Sequence, residues 1–145
     1  MILRTLLACF AIVLAAGCGK PKENALPAGS SVLALGDSLT AGYGVAPGEA
    51  WPVLLASRTG WAIVNGGVSG DTSAGALDRL PSLLEEHRPA LVLVTLGGND
   101  MLRKVPEGET VANLGKMLAQ VKARGAKAVL VATPKPSVAG AVFRN

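Results

Sequence analysis

Short apolar runs alternate along the chain with segments in which leucines recur at helical spacing, and this order restricts the fold more than any other feature. A short apolar run between turn signals is typical of a strand that is buried on both faces. The predicted strands cover residues 32–35, 62–64, 91–96 and 128–132. Strands that alternate with helices form parallel α/β sheets with right-handed crossovers, and the chemistry of such sheets lies at the carboxyl ends of the strands.

Leucine and valine side chains recur at helical spacing between these strands. The periodicity predicts helices over residues 49–58, from Thr72 onward and over residues 111–121. Gly60 and Gly125 follow the first and the third of them as stop signals. The sequence therefore predicts one doubly wound domain.

The composition permits one folded domain. The 145 residues are 50% hydrophobic, which excludes a disordered chain, and only 3% are aromatic, so the core must come from aliphatic side chains. The net charge of +4 comes from Lys and Arg residues that are spread along the chain without a basic run, which argues against a nucleic-acid partner. No Cys and His residues have the spacing of a metal site, and the sequence predicts neither a metal nor a cofactor.

The start of the chain has the pattern of a secretory signal peptide, with an early positive charge, an apolar stretch and then small residues. The sequence Leu-Ala-Ala-Gly-Cys that ends at Cys18 resembles a bacterial lipobox, in which the cysteine is lipidated and becomes the new N-terminus. Ala15 stands where leucine is more usual, and the alternative is an ordinary cleavable signal followed by an incidental cysteine. Gly19 favours the outer over the inner membrane. We therefore expect a lipid-anchored protein that faces the periplasm. Its predicted parts are a signal peptide over 1–17, a tether over 18–30 and one domain over 31–145.

The first predicted strand ends in a Gly-Asp-Ser turn. Gly36 ends the apolar run, and Asp37, Ser38 and Thr40 are of types that cap helices, so the turn predicts a helix N-terminus. Ser38 would then lie where free backbone N–H groups stabilise negative charge, which suits a nucleophilic serine. Asp37 is predicted to support this loop, because its carboxylate can accept backbone N–H bonds. The alternative is a plain capped turn, which any doubly wound domain needs.

Three segments resemble, in order and spacing, three of the four motif blocks of the SGNH (GDSL) hydrolases. They are GDSLTAGYG at 36–44, NGGVSGDTS at 65–73 and LGGND at 96–100. The resemblance runs from about Ser31 to about Thr133 and is strongest to the branch that holds bacterial periplasmic thioesterases, lysophospholipases and arylesterases. It implies a flavodoxin-like doubly wound parallel sheet and a serine hydrolase of small acyl esters or thioesters. The fourth block, an Asp-x-x-His that supplies the catalytic base, is absent from the sequence.

The resemblance also implies roles for individual residues. Ser38 would be the nucleophile, and its backbone N–H, the backbone N–H of Gly70 and the side-chain amide of Asn99 would donate to the oxyanion. The residue types suit these roles, since glycine lets backbone approach a substrate closely and an amide is a neutral donor. The alternative for Gly70 and Asn99 is plain turn chemistry. Asp71 and Asp100 are expected to be caps or loop braces.

The sequence does not supply the expected base. Its single histidine, His87, precedes the third predicted strand, whereas Asn99 follows that strand. Seven extended residues span roughly 23 Å, so His87 is predicted to lie at the opposite edge of the sheet from Ser38 and not to be the base. The resemblance places the Asp-x-x-His block after a further strand and loop. We therefore expect a fold that is incomplete at its C-terminus. The sequence is then either a fragment or the product of a prematurely terminated gene, and the alternative is a natural short form that has lost catalysis.

Two other functions compete with the hydrolase. A non-catalytic envelope lipoprotein that binds acyl chains or a partner is favoured by the missing base. A nucleotide- or flavin-binding domain is disfavoured, because Gly36, Gly42 and Gly44 fit neither the dinucleotide-binding pattern GxGxxG nor the P-loop pattern GxxxxGK[ST].

Overall fold

A computed structural model of the protein describes residues 24–132. The elements are β1 Ser31–Gly36, α1 Ser38–Ala41, α2 Trp51–Thr59, β2 Ala62–Gly67, α3 Ser73–His87, β3 Leu91–Thr95, α4 Gly98–Leu102, α5 Glu107–Ala123 and β4 Lys127–Leu130. Within the described residues the strands form one sheet in the order β2-β1-β3-β4, and every neighbouring pair is parallel. This confirms the predicted parallel α/β fold.

The register aligns the ends of the three strands that precede the motif segments. In this register Gly36 at the end of β1 pairs with Gly67 of β2 and with Thr95 of β3. We call the edge formed by these three residues the carboxyl edge. Because β1 lies between β2 and β3, the loops that follow all three strands start side by side at this edge.

Helices cover both faces of the sheet. Successive strand residues point to opposite faces, so Leu33 and Leu35 pack with Leu80 of α3 and Met117 of α5. On the other face, Val32, Leu91 and Leu93 pack with Trp51 and Leu55 of α2. Complete burial of an aliphatic side chain of this size contributes about 2 kcal/mol to the free energy of unfolding. These two layers hold the strands, and therefore the carboxyl edge, in place.

The segment just before β1 belongs to the packed domain. Leu26 packs against the α2 side of the core, and its carbonyl accepts a hydrogen bond from Trp61 Nε1 at 3.2 Å. The backbone N–H of Gly29 donates to the carbonyl of Gly60 at 2.7 Å. The end of the predicted tether thus contacts the amino ends of the strands. The predicted signal peptide and Cys18 lie outside the described residues. None of the helices formed by residues 24–132 is long and apolar enough to cross a membrane.

β4 is an apolar strand at one end of the sheet, and within residues 24–132 it pairs with β3 alone. Val129, Leu130 and Val131 are exposed. An uncovered apolar edge strand is a template for pairing with another chain. We predict that a protein of residues 19–145 associates as its concentration rises, and that Val129→Lys reduces this association. Analytical ultracentrifugation measures it. A monodisperse wild-type monomer with one cooperative melting transition would contradict the prediction.

Candidate active site

The Gly-Asp-Ser turn joins β1 to α1 and is held by Asp37. The Asp37 carboxylate accepts a hydrogen bond from the backbone N–H of Leu39 at 3.0 Å, and its carbonyl accepts from Ala41 N–H at 2.9 Å. Asp37 is buried and is the N-cap of α1, as predicted from its residue type. Ser38 is the first residue of this single-turn helix and is half-buried. Its Oγ has no hydrogen-bond partner within residues 24–132.

The loop after β2 contains a tight turn around Gly70. The N–H of Asp71 donates to the carbonyl of Val68 at 3.1 Å, and Gly70, the third residue of the turn, has φ +79°. A type II turn requires positive φ at that position, which glycine adopts without strain. The N–H of Val68 donates to the carbonyl of Gly36 at 3.0 Å, which ties the turn to the end of β1. Arg103 Nη2 donates to the Gly70 carbonyl at 2.8 Å and ties the turn to the residue that follows α4.

Asn99 connects the loops that follow β2 and β3. It lies in the first turn of α4, and its Nδ2 donates to the backbone carbonyl of Asp71 at 2.8 Å. An amide group carries two N–H donors, and within residues 24–132 the second has no hydrogen-bond partner. The structure therefore places Ser38, Gly70 and Asn99 in the three neighbouring segments that follow β1, β2 and β3 at the carboxyl edge. Their roles as nucleophile and oxyanion donors stay predictions.

A buried polar network lies behind these loops. Asp100 is 2% exposed, and its Oδ2 accepts a hydrogen bond from the Ser73 N–H at 2.9 Å. Its Oδ1 accepts from the hydroxyls of Ser73 and Thr110, and Ser73 Oγ accepts from Asn113 Nδ2 at 3.0 Å. Asp100 thus braces α3, α4 and α5 together, as its residue type suggested. Sequence reasoning missed Ser73, Thr110 and Asn113, which resemble ordinary solvated helix residues in the sequence.

We predict that Asp100→Ala lowers the free energy of unfolding by about 3 kcal/mol, because hydrogen bonds to a charged acceptor are lost and buried donors are left unpaired. Chemical denaturation measures the effect. Asp78→Ala is the control, since Asp78 is exposed on α3 and its removal should change stability by no more than about 0.5 kcal/mol. Equal stability of the two variants would show that the network does not brace the fold.

The single histidine lies far from Ser38. His87 is the last residue of α3, and its carbonyl accepts a hydrogen bond from Ser31 Oγ at 3.1 Å. Ser31 begins β1, whereas Ser38 follows its other end, and a strand of this length spans about 20 Å. His87 therefore cannot take a proton from Ser38, as predicted. Within residues 24–132 no three His, Cys, Asp or Glu side chains are grouped so that they could hold a metal ion.

A parallel sheet with a serine turn after a central strand, and with candidate donors after both neighbouring strands, is the arrangement expected of a serine hydrolase of the α/β class. The chain belongs to the GDSL-like lipase/acylhydrolase family, whose sequence model matches residues 34–144. This confirms the resemblance to SGNH (GDSL) hydrolases.

Two relatives and one solved structure illustrate the similarity. Esterase TesA of Pseudomonas aeruginosa is 41% identical over 114 residues, which are 75% of this chain and 57% of that protein. Thioesterase 1/protease 1/lysophospholipase L1 of Escherichia coli K12 is 44% identical over 114 residues, which are 76% of this chain and 54% of that protein. The crystal structure of AlinE4, an SGNH-hydrolase family esterase, aligns with this chain with a TM-score of 0.73 and 35% identity. The alignment covers 83% of this chain and 67% of the AlinE4 chain. The chain therefore spans little more than half the length of the two sequence relatives.

Proposed function

We propose that the protein acts as a serine hydrolase of small acyl esters or thioesters, with Ser38 as the nucleophile. Ser38 Oγ attacks the carbonyl carbon, the alcohol or thiol leaves, and water then releases the acid from the acyl-serine. The observation that carries this proposal is the arrangement of the three motif loops side by side at the carboxyl edge. Attack also requires a base to accept the Ser38 proton, and His87 cannot be that base. His87 is the single histidine of the sequence, so no histidine within residues 24–132 can serve as this base.

The tetrahedral intermediate places negative charge on the former carbonyl oxygen. We assign the oxyanion hole to the backbone N–H of Ser38, the backbone N–H of Gly70 and the side chain of Asn99. Ser38 N–H is at the start of α1, where backbone donors are free. Gly70 N–H is not used in closing its turn, and Asn99 keeps one amide N–H unbonded within the described residues.

Apolar side chains around the site support an acyl substrate. Leu39 and Tyr43 follow β1, Val68 follows β2 and Leu102 ends α4 after β3, and all four are exposed. Exposed apolar side chains on the segments that follow the strands at this edge favour a substrate with an apolar part. The relatives carry the names esterase and thioesterase/protease/lysophospholipase, which agree with acyl ester or thioester bonds.

We also propose that Cys18 is lipidated and anchors the protein to the cell envelope, facing the periplasm and at the outer membrane. The support for this proposal is the sequence of the first 19 residues. The intact mass of the native protein extracted from membranes tests it. Acyl groups on an N-terminal Cys18 are the expected result, and a mature chain that starts elsewhere without acyl groups would overturn it.

A binding protein without catalysis is the second candidate. A groove of about 410 Å³ opens on the α2 side of the sheet, lined by Leu39, Trp51, Leu55, Leu93 and Thr95 among others. An apolar groove of this size could take an acyl chain. The lack of a histidine base within the described residues also favours a binding protein without catalysis.

Labelling with a fluorophosphonate probe separates the two candidates. The native protein should form a phosphorus–oxygen bond at Ser38 Oγ with loss of fluoride, and peptide mass analysis should locate the label on Ser38. Ser38→Ala should remain unlabelled, whereas Ser82→Ala, at an exposed position of α3, should label like the wild type. A folded native protein that neither labels nor hydrolyses esters would overturn the hydrolase and leave the binding protein.

A further inference from the structure

Arg79 joins two of the loops that form the candidate site. It lies on α3, and its side chain and that of Asp71 are 26% and 9% exposed. Arg79 Nε and Nη2 both contact Asp71 Oδ2, at 2.9 and 2.8 Å. The same Nη2 donates to the carbonyl of Gly36 at 3.1 Å. One guanidinium thus holds the end of β1 and the loop after β2 at a fixed separation.

The Gly36 contact acts on the loop that carries Ser38. The Gly36 carbonyl ends β1 immediately before the Asp37–Ser38 turn, and it accepts hydrogen bonds from both Val68 N–H and Arg79. Val68 belongs to the loop that contains Gly70, and Arg79 lies on α3, the helix that follows this loop. The position of Ser38 is therefore set against the Gly70 turn and not only against its own helix.

The contact between Arg79 and Asp71 fixes the position of two of the proposed oxyanion donors, the Gly70 N–H and the Asn99 side-chain amide. Asp71 follows Gly70, so fixing its carboxylate fixes the peptide next to the Gly70 turn. The carbonyl of Asp71 holds Asn99 Nδ2 at 2.8 Å, and its Oδ1 accepts from the Thr72 N–H at 3.0 Å. With the carboxylate and the carbonyl both held, one amide proton of Asn99 is committed to Asp71 and the other keeps a constant direction.

We propose that Arg79 is a positioning residue that sets Gly70 and Asn99 relative to Ser38. This inference rests on the proposed function of those residues. Arginine suits the task because its planar fork can donate to a carboxylate and to a carbonyl in fixed directions, whereas lysine presents a flexible point charge. The competing explanation is that the pair of Arg79 and Asp71 only stabilises the fold, as partly buried ion pairs do.

Solvent exchange of the Asn99 side-chain amide protons measures how firmly this arrangement is held, and the measurement does not require catalytic activity. In ¹⁵N-labelled full chain, the Asn99 proton bonded to Asp71 should exchange with solvent more slowly than its geminal partner. In Arg79→Met that exchange should accelerate about tenfold, which corresponds to the loss of one net hydrogen bond. Arg79→Lys should fall between Arg79→Met and the wild type, and it provides the measurement if Arg79→Met does not fold.

Two controls separate positioning from stability. Val121→Ala removes buried core volume on α5, away from the site loops, and should lower the melting temperature without changing the Asn99 exchange. Arg58→Met removes an exposed arginine at the end of α2 and should change neither quantity. Unchanged Asn99 exchange in the Arg79 variants would overturn the inference. An equal change in Val121→Ala would overturn it as well, because the effect would then follow stability.

Steady-state kinetics of the native protein provide a second test of the role of Arg79. Arg79→Met should lower kcat about tenfold or more with little change in KM, because misplaced oxyanion donors act on the transition state. Val121→Ala should retain kcat below its melting temperature, and an equal loss of kcat in both variants would count against positioning. If the native protein isolated from its own membranes is inert toward esters while Asn99 responds to Arg79, the proposed function is overturned. Unchanged Asn99 exchange in an active enzyme would overturn the role of Arg79 alone.

Discussion

The 145-residue chain should hydrolyse simple aryl esters about 10⁴–10⁶-fold more slowly than a serine hydrolase with its base in place, since removal of triad members costs factors of this order. The reason is geometric. His87, the single histidine of the sequence, is bound through its carbonyl to the start of β1, whereas Ser38 follows the other end of that strand. The proposed oxyanion donors remain, so a small rate that depends on Asn99 should survive.

The pH dependence of hydrolysis tests the missing base more sharply than the rate alone. Without a general base, hydroxide must remove the Ser38 proton, so the rate should rise about tenfold per pH unit without a plateau near neutral pH. Hydrolysis of a p-nitrophenyl ester by the purified chain measures this profile. Ser38→Ala and Ser82→Ala serve as the reactive-site and surface controls. A Ser38-dependent rate comparable to that of ordinary esterases, with a plateau near pH 7, would show that another group supplies the base.

The sequence pattern predicts the two central strands, β1 and β3, because both are buried on both faces. Continuous apolar runs therefore mark β1 and β3. The prediction stops too early for β2, which continues through Asn65 and Gly66 to Gly67. These residues lack an apolar pattern, and only their pairing with β1 makes them a strand. The tertiary partner, and not local preference, extends the strand.

The sequence predicts the loops of the candidate site but not the side chains from other elements that hold these loops in place. Asp37 was predictable because capping is a local interaction with the next turn. Arg79 was not, because its partners Gly36 and Asp71 lie on other elements, and a single arginine on a helix resembles a solvated side chain. The position of His87 followed from strand length alone. Local contacts such as caps can thus be predicted from the sequence, whereas polar contacts between different helices and strands become visible only in the folded structure.

Gly36→Ala should be among the most damaging small substitutions in the chain, lowering the free energy of unfolding by about 3 kcal/mol through overpacking. The added Cβ would overlap Thr40 Oγ1, lie 2.7 Å from Thr40 Cβ and lie 3.0 Å from the carbonyl oxygen of Thr95. Thr40 is fully buried and cannot turn away, so α1 must shift. A displacement of about 1 Å at Ser38 can cost about a hundredfold in rate. Fluorophosphonate labelling of the native protein should therefore slow by about that factor.

Thr40→Ala provides a test of this mechanism. Thr40 Oγ1 is buried without a hydrogen-bond partner within residues 24–132, so its removal should itself cost little. In the double variant the overlap with Oγ1 is gone, but Thr40 Cβ remains, so stability should recover in part. Gly115→Ala is the matched control, because open space surrounds Gly115 inside α5 and alanine there should stabilise by about 0.5–1 kcal/mol. Additive losses in the double variant, measured by chemical denaturation, would mean that Gly36 is required for a reason other than contact with Thr40.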